Sequence, residues 1–554
     1  MTKRAWMTAP VAAGVIVGVA LAALFVWELR AAGPIAIDDA YITFSYSKNL
    51  ATGHGPVYGH GERVEGYSNF LWMVLVAIGL RFQTMADPLI TARVVAVPFL
   101  VLLALSTYAL ARVRAGRVLA VAAIALLLLD ADVVTAFAIG LESLPSAALL
   151  TLGFALYLRS WSAPRLARWV VPSLVAVALT RIDGFLPLGY VLAFEALRRL
   201  LRREGSVRDY LRWAVPGAAV YLAWFAWRWW YYGLPLPATY YAKALIPRLL
   251  PARGREYVRA ECLGTGVWIA LPFAAWLLAR RRLDALFLIA FALLHVAYVI
   301  KVGGDWMPYG RFLLPVLPVA AVIIAWGGGD LAALARARLG RGALPGAVLS
   351  VLLALAALAF VAKKTERHLT VEPLQLGKMG YAAEQAGHVR KLKSAARLLN
   401  HALHPGARLV TDYGGVFAYY TDAAPIEMWG LCNALIATRG GTEGINPIYG
   451  RTCPACYPEL RPEFFHVWVP IVRDLQAFHS HAQVVAQVWQ TDTIGRYLNF
   501  QRDFVSGRVM IPATNQAVYF LERRRAGTAY LPRAVDAAIA IDYPFEPGGR
   551  TAGL

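Results

Sequence analysis

Charge is in short supply in this chain. Asp, Glu, Lys and Arg make up 16% of its 554 residues against 58% hydrophobic, and the mean hydropathy is +0.51, too apolar for a soluble protein of this length. Cysteine is scarcer still. Four of them exclude a disulfide framework, and the closest pair, Cys453 and Cys456, reads as a local structural disulfide because no thioredoxin-like strand and helix surround it. No P-loop, dinucleotide fingerprint or HExxH motif is present, and neither is an internal repeat or a low-complexity linker. His54 and His60 have no second His or Cys at ligand spacing and read as loop donors.

What the chain has instead is a series of apolar runs. The first, Val11 to Leu29, is about 19 residues long and follows Lys3 and Arg4. It reads as an uncleaved anchor, longer than the ~7–15-residue core of a signal peptide, with cleavage after Ala31 or Ala32 as the alternative. Tyr67 to Phe82 is shorter. As a span it would send Leu89 to Ala111 outward and put Arg112, Arg114 and Arg117 outside, against the positive-inside bias, so a surface or re-entrant helix is expected. The further runs are Val118–Leu129, Ser143–Leu158, Trp169–Thr180, Phe185–Ala196, Leu211–Trp230, Leu263–Leu278, Ala285–Ile300, Phe312–Trp326 and Ala343–Val361. The total is about eleven transmembrane helices.

The net charge of +21 raises nucleic acid as a partner, but the arginines sit in short loops between the runs and exclude that reading. Arg159, Arg165 and Arg168, then Arg198 to Arg208, Arg280 to Arg282 and Arg336 to Arg341 share the side of Lys3 and Arg4, which is therefore cytoplasmic. The acids Asp38, Asp39, Glu62, Glu65, Asp130, Asp132, Glu142, Asp183, Glu256, Glu261 and Asp305 fall at the opposite ends. This segregation disfavours a carrier, which places ionisable groups near the midplane. Residues 1–363 thus form a membrane domain with a first extracytoplasmic loop at 30–88. Residues 364–554 hold no spanning run and read as a soluble α/β or β-rich extracytoplasmic domain. Within it Tyr381–His404 is expected as a helix, and Ala407–Val410, Phe465–Val472 and Ala517–Leu521 as strands.

Chemistry is expected first at Asp38 and Asp39, adjacent carboxylates emerging at a membrane surface. Mutual repulsion and partial dehydration raise a proton affinity there, which suits a general base with a supporting partner; an ordinary acidic loop is the alternative. The segment Arg228 to Lys243 brings Trp229, Trp230, Tyr231, Tyr232, Tyr240 and Tyr241 for stacking and Lys243 for a phosphate, against the plainer reading of an interfacial aromatic belt. Gly303-Gly304-Asp305 and Arg311 repeat the pattern. Arg181 and Asp183 flank a break between runs, where a helix-junction ion pair is the alternative.

The stretch Asp38 to Phe44, with Gly53-His54-Gly55 and Gly61 to Ser68 after it, resembles the first extracytoplasmic loop of the GT-C glycosyltransferases. It is similar above all to the mycobacterial terminal arabinofuranosyltransferase subgroup, whose later motifs are matched in order by Gly140-Leu141-Glu142, Arg181 to Gly184, Tyr231 to Lys243, Gly303 to Asp305 with Arg311 to Pro315, and Ile426 to Leu431. The resemblance implies a polytopic α-helical enzyme in the bacterial plasma membrane that moves a sugar, arabinofuranose on the subgroup's pattern, from a polyprenyl phosphate to a cell-wall glycan with inversion. A flippase of lipid-linked sugar is the rival. The resemblance gives Asp38 the role of base and Asp39 a supporting one; Arg63, Arg181, Asp183, Tyr240, Lys243, Asp305 and Arg311 are expected at the donor, and Glu142 and Trp429 at the acceptor. No cofactor is called for, and a divalent cation near Asp38 and Asp39 is left open.

Overall fold

Hydrocarbon offers backbone N–H and C=O groups no partner, so apolar segments satisfy them internally, and helices make up most of the described residues between 3 and 339. The computed structural model describes residues 3–59, 62–82, 87–243, 250–305, 307, 310–339, 348, 352, 378–441, 451–467, 471–473, 480–488, 491–512, 514–525 and 531–534. His60, and all but two residues of the expected span Ala343–Val361, lie outside them.

The helices are α1 (Lys3–Ala31), α2 (Asp38–Ala51), α3 (Phe70–Phe82), α4 (Pro88–Ala111), α5 (Arg117–Leu128), α6 (Ala131–Ala138), α7 (Ser143–Ser160), α8 (Ala167–Thr180), α9 (Phe185–Arg202), α10 (Val207–Tyr232), α11 (Ala238–Lys243), α12 (Leu250–Thr265), α13 (Ala270–Ala279), α14 (Leu283–Val302) and α15 (Val316–Leu339). Among the described residues three helices are long and apolar enough to cross a membrane, or up to five if each bent pair is one span. α3, with 13 residues, is about 20 Å long against a ~30 Å hydrocarbon core.

One expected span is broken and another runs into a bend. α5 and α6 meet at 55°, where Asp130 caps α6 by accepting the Asp132 N–H at 2.9 Å. The run Leu263–Leu278 begins in the last turn of α12 and continues beyond a 76° bend, with Gly266 between the halves at φ +71°.

The tail is an α/β unit. Its sheet has the order β2-β1-β3-β6-β5-β7, with β4 also on β6: β1 (Arg408–Thr411), β2 (Ala424–Glu427), β3 (Phe464–His466), β4 (Val472–Arg473), β5 (Phe504–Ile511), β6 (Gln516–Arg523) and β7 (Leu531–Ala534). β1 is parallel to both β2 and β3, whereas β6 runs antiparallel to β3 and β5. The single strand expected over Phe465–Val472 is two, β3 and β4. The expected helix is Lys378–Asn400, and Cys453 and Cys456 form a disulfide. One core runs from the membrane part into the tail, with Tyr41 and Phe44 of α2 in the same buried cluster as Leu392, Leu409 and Phe417.

Candidate active site

Asp38 opens α2, and the chain leading to it is pinned by Arg93 of α4, which donates to the carbonyls of Ile35 at 2.6 Å and Ala138 at 2.8 Å. Both acids fall in the first turn, where a negative charge complements the helix dipole. The partners of Asp38 lie 377 and 378 residues away: one carboxylate oxygen accepts the Gly415 N–H at 3.0 Å and the other the Val416 N–H at 2.8 Å. These amides begin the tail helix Val416–Tyr420, whose first N–H groups have no intrahelical acceptor. A carboxylate of the membrane part therefore caps a helix of the tail.

The contact is close and repeated. A Cβ on Gly415 would lie 1.9 Å from the Asp38 carbonyl oxygen, so only glycine fits. Tyr58 donates to the Gly414 carbonyl, Lys48 Nζ to the Tyr419 carbonyl at 2.8 Å, and Ser45 Oγ to the Gly415 carbonyl at 3.4 Å. On the other flank Asp87 accepts the Tyr41 hydroxyl at 2.9 Å and Lys393 Nζ of the tail at 2.6 Å.

Burial pushes the Asp38 carboxyl up to about 7; the two N–H bonds hold it down, and the Asp39 and Asp412 carboxylates add to the rise. Asp39, half-buried beside it, makes no hydrogen bond or ion pair with a described residue. Beneath the Gly414 turn, Glu427 at the end of β2 is fully buried and accepts the N–H groups of Trp429 at 2.6 Å, Leu431 at 2.6 Å and Cys432 at 3.1 Å. Burial lifts it to about 7 as well, over the opposing pull of those amides. Trp429 is half-buried, with its indole N–H on the Asp412 carbonyl at 2.8 Å.

The other acids and cations gather next to α2. Arg181 grips Asp183 with two nitrogens, at 2.9 and 3.0 Å, and reaches Glu142 at 2.9 Å. Glu142 in turn accepts Asn69 at 2.8 Å, and Asn69 meets Thr43 of α2 at 3.0 Å. Although burial opposes it, this pairing holds the Asp183 carboxyl below the usual range. Arg311 pairs with Asp305 and shares the Phe312 ring with Arg181, the two guanidinium carbons lying 5.5 and 5.2 Å from its centroid. Glycine at 310 is required because a Cβ would stand 2.2 Å from Asp132 Oδ2. The ion pairs offered as the plain alternative at Arg181 are thus present, and both arginines are matched by acids.

Arg63, on the first loop, and Tyr240 and Lys243, both on α11, stand apart. Arg63 lies over the Tyr231 ring at 4.7 Å, and Tyr231 stacks on Trp227. Those aromatics meet each other. Tyr240 is exposed, and Lys243 makes no hydrogen bond or ion pair with a described residue. What fixes α11 is a buried pair absent from the sequence reading: Arg228 binds Glu65 and the Pro235 carbonyl at 2.6 Å, while the Ala238 N–H meets the Glu65 carbonyl at 2.9 Å. Its legible signal was an arginine inside an otherwise apolar helix. Among the described residues no group of three or more His, Cys, Asp or Glu side chains is placed to hold a metal ion.

Against known proteins, no family profile matches. Over 340 residues the chain is 29% identical to the terminal beta-(1→2)-arabinofuranosyltransferase of Mycobacterium tuberculosis, a match covering 54% of this chain and 53% of that protein. The protein of the same name from Corynebacterium glutamicum is 30% identical over 337 residues, 52% of this chain and 47% of its own. The chain spans about half the length of the relatives it matches. Among solved structures, ArnT from Cupriavidus metallidurans superposes with a TM-score of 0.51 at 15% identity, over 77% of this chain and 88% of that one. The Archaeoglobus fulgidus oligosaccharyltransferase gives 0.52 at 11%, over 92% and 75%. Its complex with an inhibitory peptide and a dolichol-phosphate gives 0.50 at 12%, over 92% and 75%.

The fold is GT-C. In this chain the first-loop acids do not stand alone, since the tail closes directly over Asp38 through Gly415 and Val416.

Proposed function

We propose that this chain is an inverting glycosyltransferase that moves arabinofuranose from a polyprenyl phosphate to a cell-wall glycan at the outer face of the bacterial plasma membrane. The observation that carries the reading is Asp38, a half-buried carboxyl lifted to about 7 at the junction of membrane part and tail, near the optimum for a base at neutral pH. Its two amide contacts orient the carboxylate and occupy one lone pair on each oxygen, leaving a second on each. Asp38 takes the proton of an acceptor hydroxyl as that oxygen bonds to the anomeric carbon from the face opposite the phosphate. The anomeric C–O bond breaks with its electron pair on the departing polyprenyl phosphate, which inverts the centre.

The leaving phosphate needs a cation more than an acid. Lys243 and Arg63 are the site cations that no described acid pairs, and Arg311 contributes once a phosphate competes with Asp305 for it. Glu142 and Trp429 are assigned to the acceptor. About eleven spans follow from the apolar runs, and a cytoplasmic N-terminus with an external tail follows from the arginine distribution.

Asp39 offers a second reading of the base, favoured by a carboxylate that accepts no hydrogen bond from a described residue. Purified protein in vesicles, given a polyprenyl-phosphate arabinofuranose and an arabinan oligosaccharide, tests all of this. New glycosidic product marks an enzyme; unaltered donor crossing the bilayer marks a flippase instead. Asp38→Asn is expected to abolish product, and product retained by it but lost in Asp39→Asn moves the base by one residue.

A further inference from the structure

A cleft of about 420 Å³ opens on the tail, lined by Arg408, Pro458, Arg461, Glu463, Leu498 and Arg523. It sits at the opposite end of the sheet from Asp38. Arg408 begins β1, Glu463 precedes β3 and Arg523 ends β6, whereas β1 finishes at Thr411 just before the turn that meets Asp38. A four-residue strand separates the two places by about 13 Å.

The lining is one-sided in charge. Three arginines face one acid, and Glu463 is already shared by His404 at 2.9 Å, Arg525 at 3.3 Å and Arg408 at 3.5 Å. That sharing holds its carboxyl below the usual range, though burial opposes it. The Arg461 side chain makes no hydrogen bond or ion pair with a described residue, and Arg523 commits its Nε to the Pro462 carbonyl at 2.9 Å. Planar guanidinium groups converging on a concavity match a phosphate or carboxylate. Pro458 and Leu498 supply an apolar wall of the kind that packs against a sugar ring, and the volume suits one or two rings.

We propose that this cleft binds an anionic sugar, a phosphate- or carboxylate-bearing unit of an external glycan. It holds the polymer on the tail, away from the reacting hydroxyl. The site is independent of the reaction assigned to Asp38.

Titration calorimetry of the full chain in detergent tests it with glucose 6-phosphate, glucuronate, glucose and inorganic phosphate. The expected result is binding of at least one of the two anionic sugars, with glucose silent. That affinity is expected to fall about ten-fold or more in the exposed pair Arg408→Ala and Arg461→Ala, checked for an unchanged melting temperature. Which anionic sugar binds more tightly identifies the charged group. Equal affinity in the double variant, no binding by the parent chain, or inorganic phosphate binding as tightly as the sugar phosphate each overturns the proposal. The measurement uses neither lipid donor nor turnover, so its failure is distinct from failure of the transferase reading.

Discussion

Replacing Gly415 by alanine tests the closure of the tail over the acids with one methyl group. Its Cβ would stand 1.9 Å from the Asp38 carbonyl oxygen and 2.9 Å from the Tyr41 Cβ. Ordinary contact needs about 3.5 Å, so turn and helix must part by more than about 1 Å. Hydrogen bonds of 3.0 and 2.8 Å then open past their useful range. Each is a bond to a charged group, of about 1.5–3 kcal/mol, and both act on Asp38 in the same direction by favouring its ionised form. Losing them lets burial dominate further, so the carboxyl rises above about 7, by roughly one unit or more on the ~1.4 kcal/mol per unit scale. At pH 7 a larger share of the base is then protonated and transfer slows. The assay is kcat/KM for transfer against pH: the acidic limb is expected to move upward by about one pH unit or more, with part of the lost rate returning at alkaline pH. A profile that superimposes on that of the parent chain refutes the reasoning, because it would mean that the amides of Gly415 and Val416 do not control the base.

Arg228→Ala strands Glu65 in a buried site and is expected to cost about 3–5 kcal/mol, read as a large drop in melting temperature; a change under about 1 kcal/mol would show the pair to be dispensable. Glu427 is lifted in the folded chain from 4.5 to about 7, so the stability it contributes is full below about 4.5 and lost as pH rises toward 7. Glu427→Gln is therefore expected to flatten the fall of melting temperature across that window, and an unchanged slope would assign the fall to other groups. Lys243→Ala is expected to raise KM for the lipid donor about ten-fold with little effect on kcat, whereas a pure kcat effect would place the lysine at the reacting bond.

What could be read from the residues followed the distance over which the physics acts. Helix positions such as α4 and α14 were legible because the cost of bare backbone in hydrocarbon marks the run itself. The acids at Asp38 and Asp39 stood out because charge directly after an apolar run is expensive. The bends were less visible: hydropathy averages along one axis and passes over a single glycine at 266, although Asp130 announced the second break as a helix cap. β2 and β5 escaped because each carries a strand breaker inside it, Pro425 in β2 and Gly507 in β5. The tie between Asp38 and the amides of Gly415 and Val416 left no local trace at all. Backbone donors have no residue identity, so the only signature was Gly414-Gly415, two residues whose meaning appears when the helix from residue 38 is set against them. The placement of that tie also bears on mechanism. On the function proposed above, a base fixed by the tail is set for transfer only while the tail is docked, so the Gly414-Gly415 turn also tunes the proton affinity of Asp38.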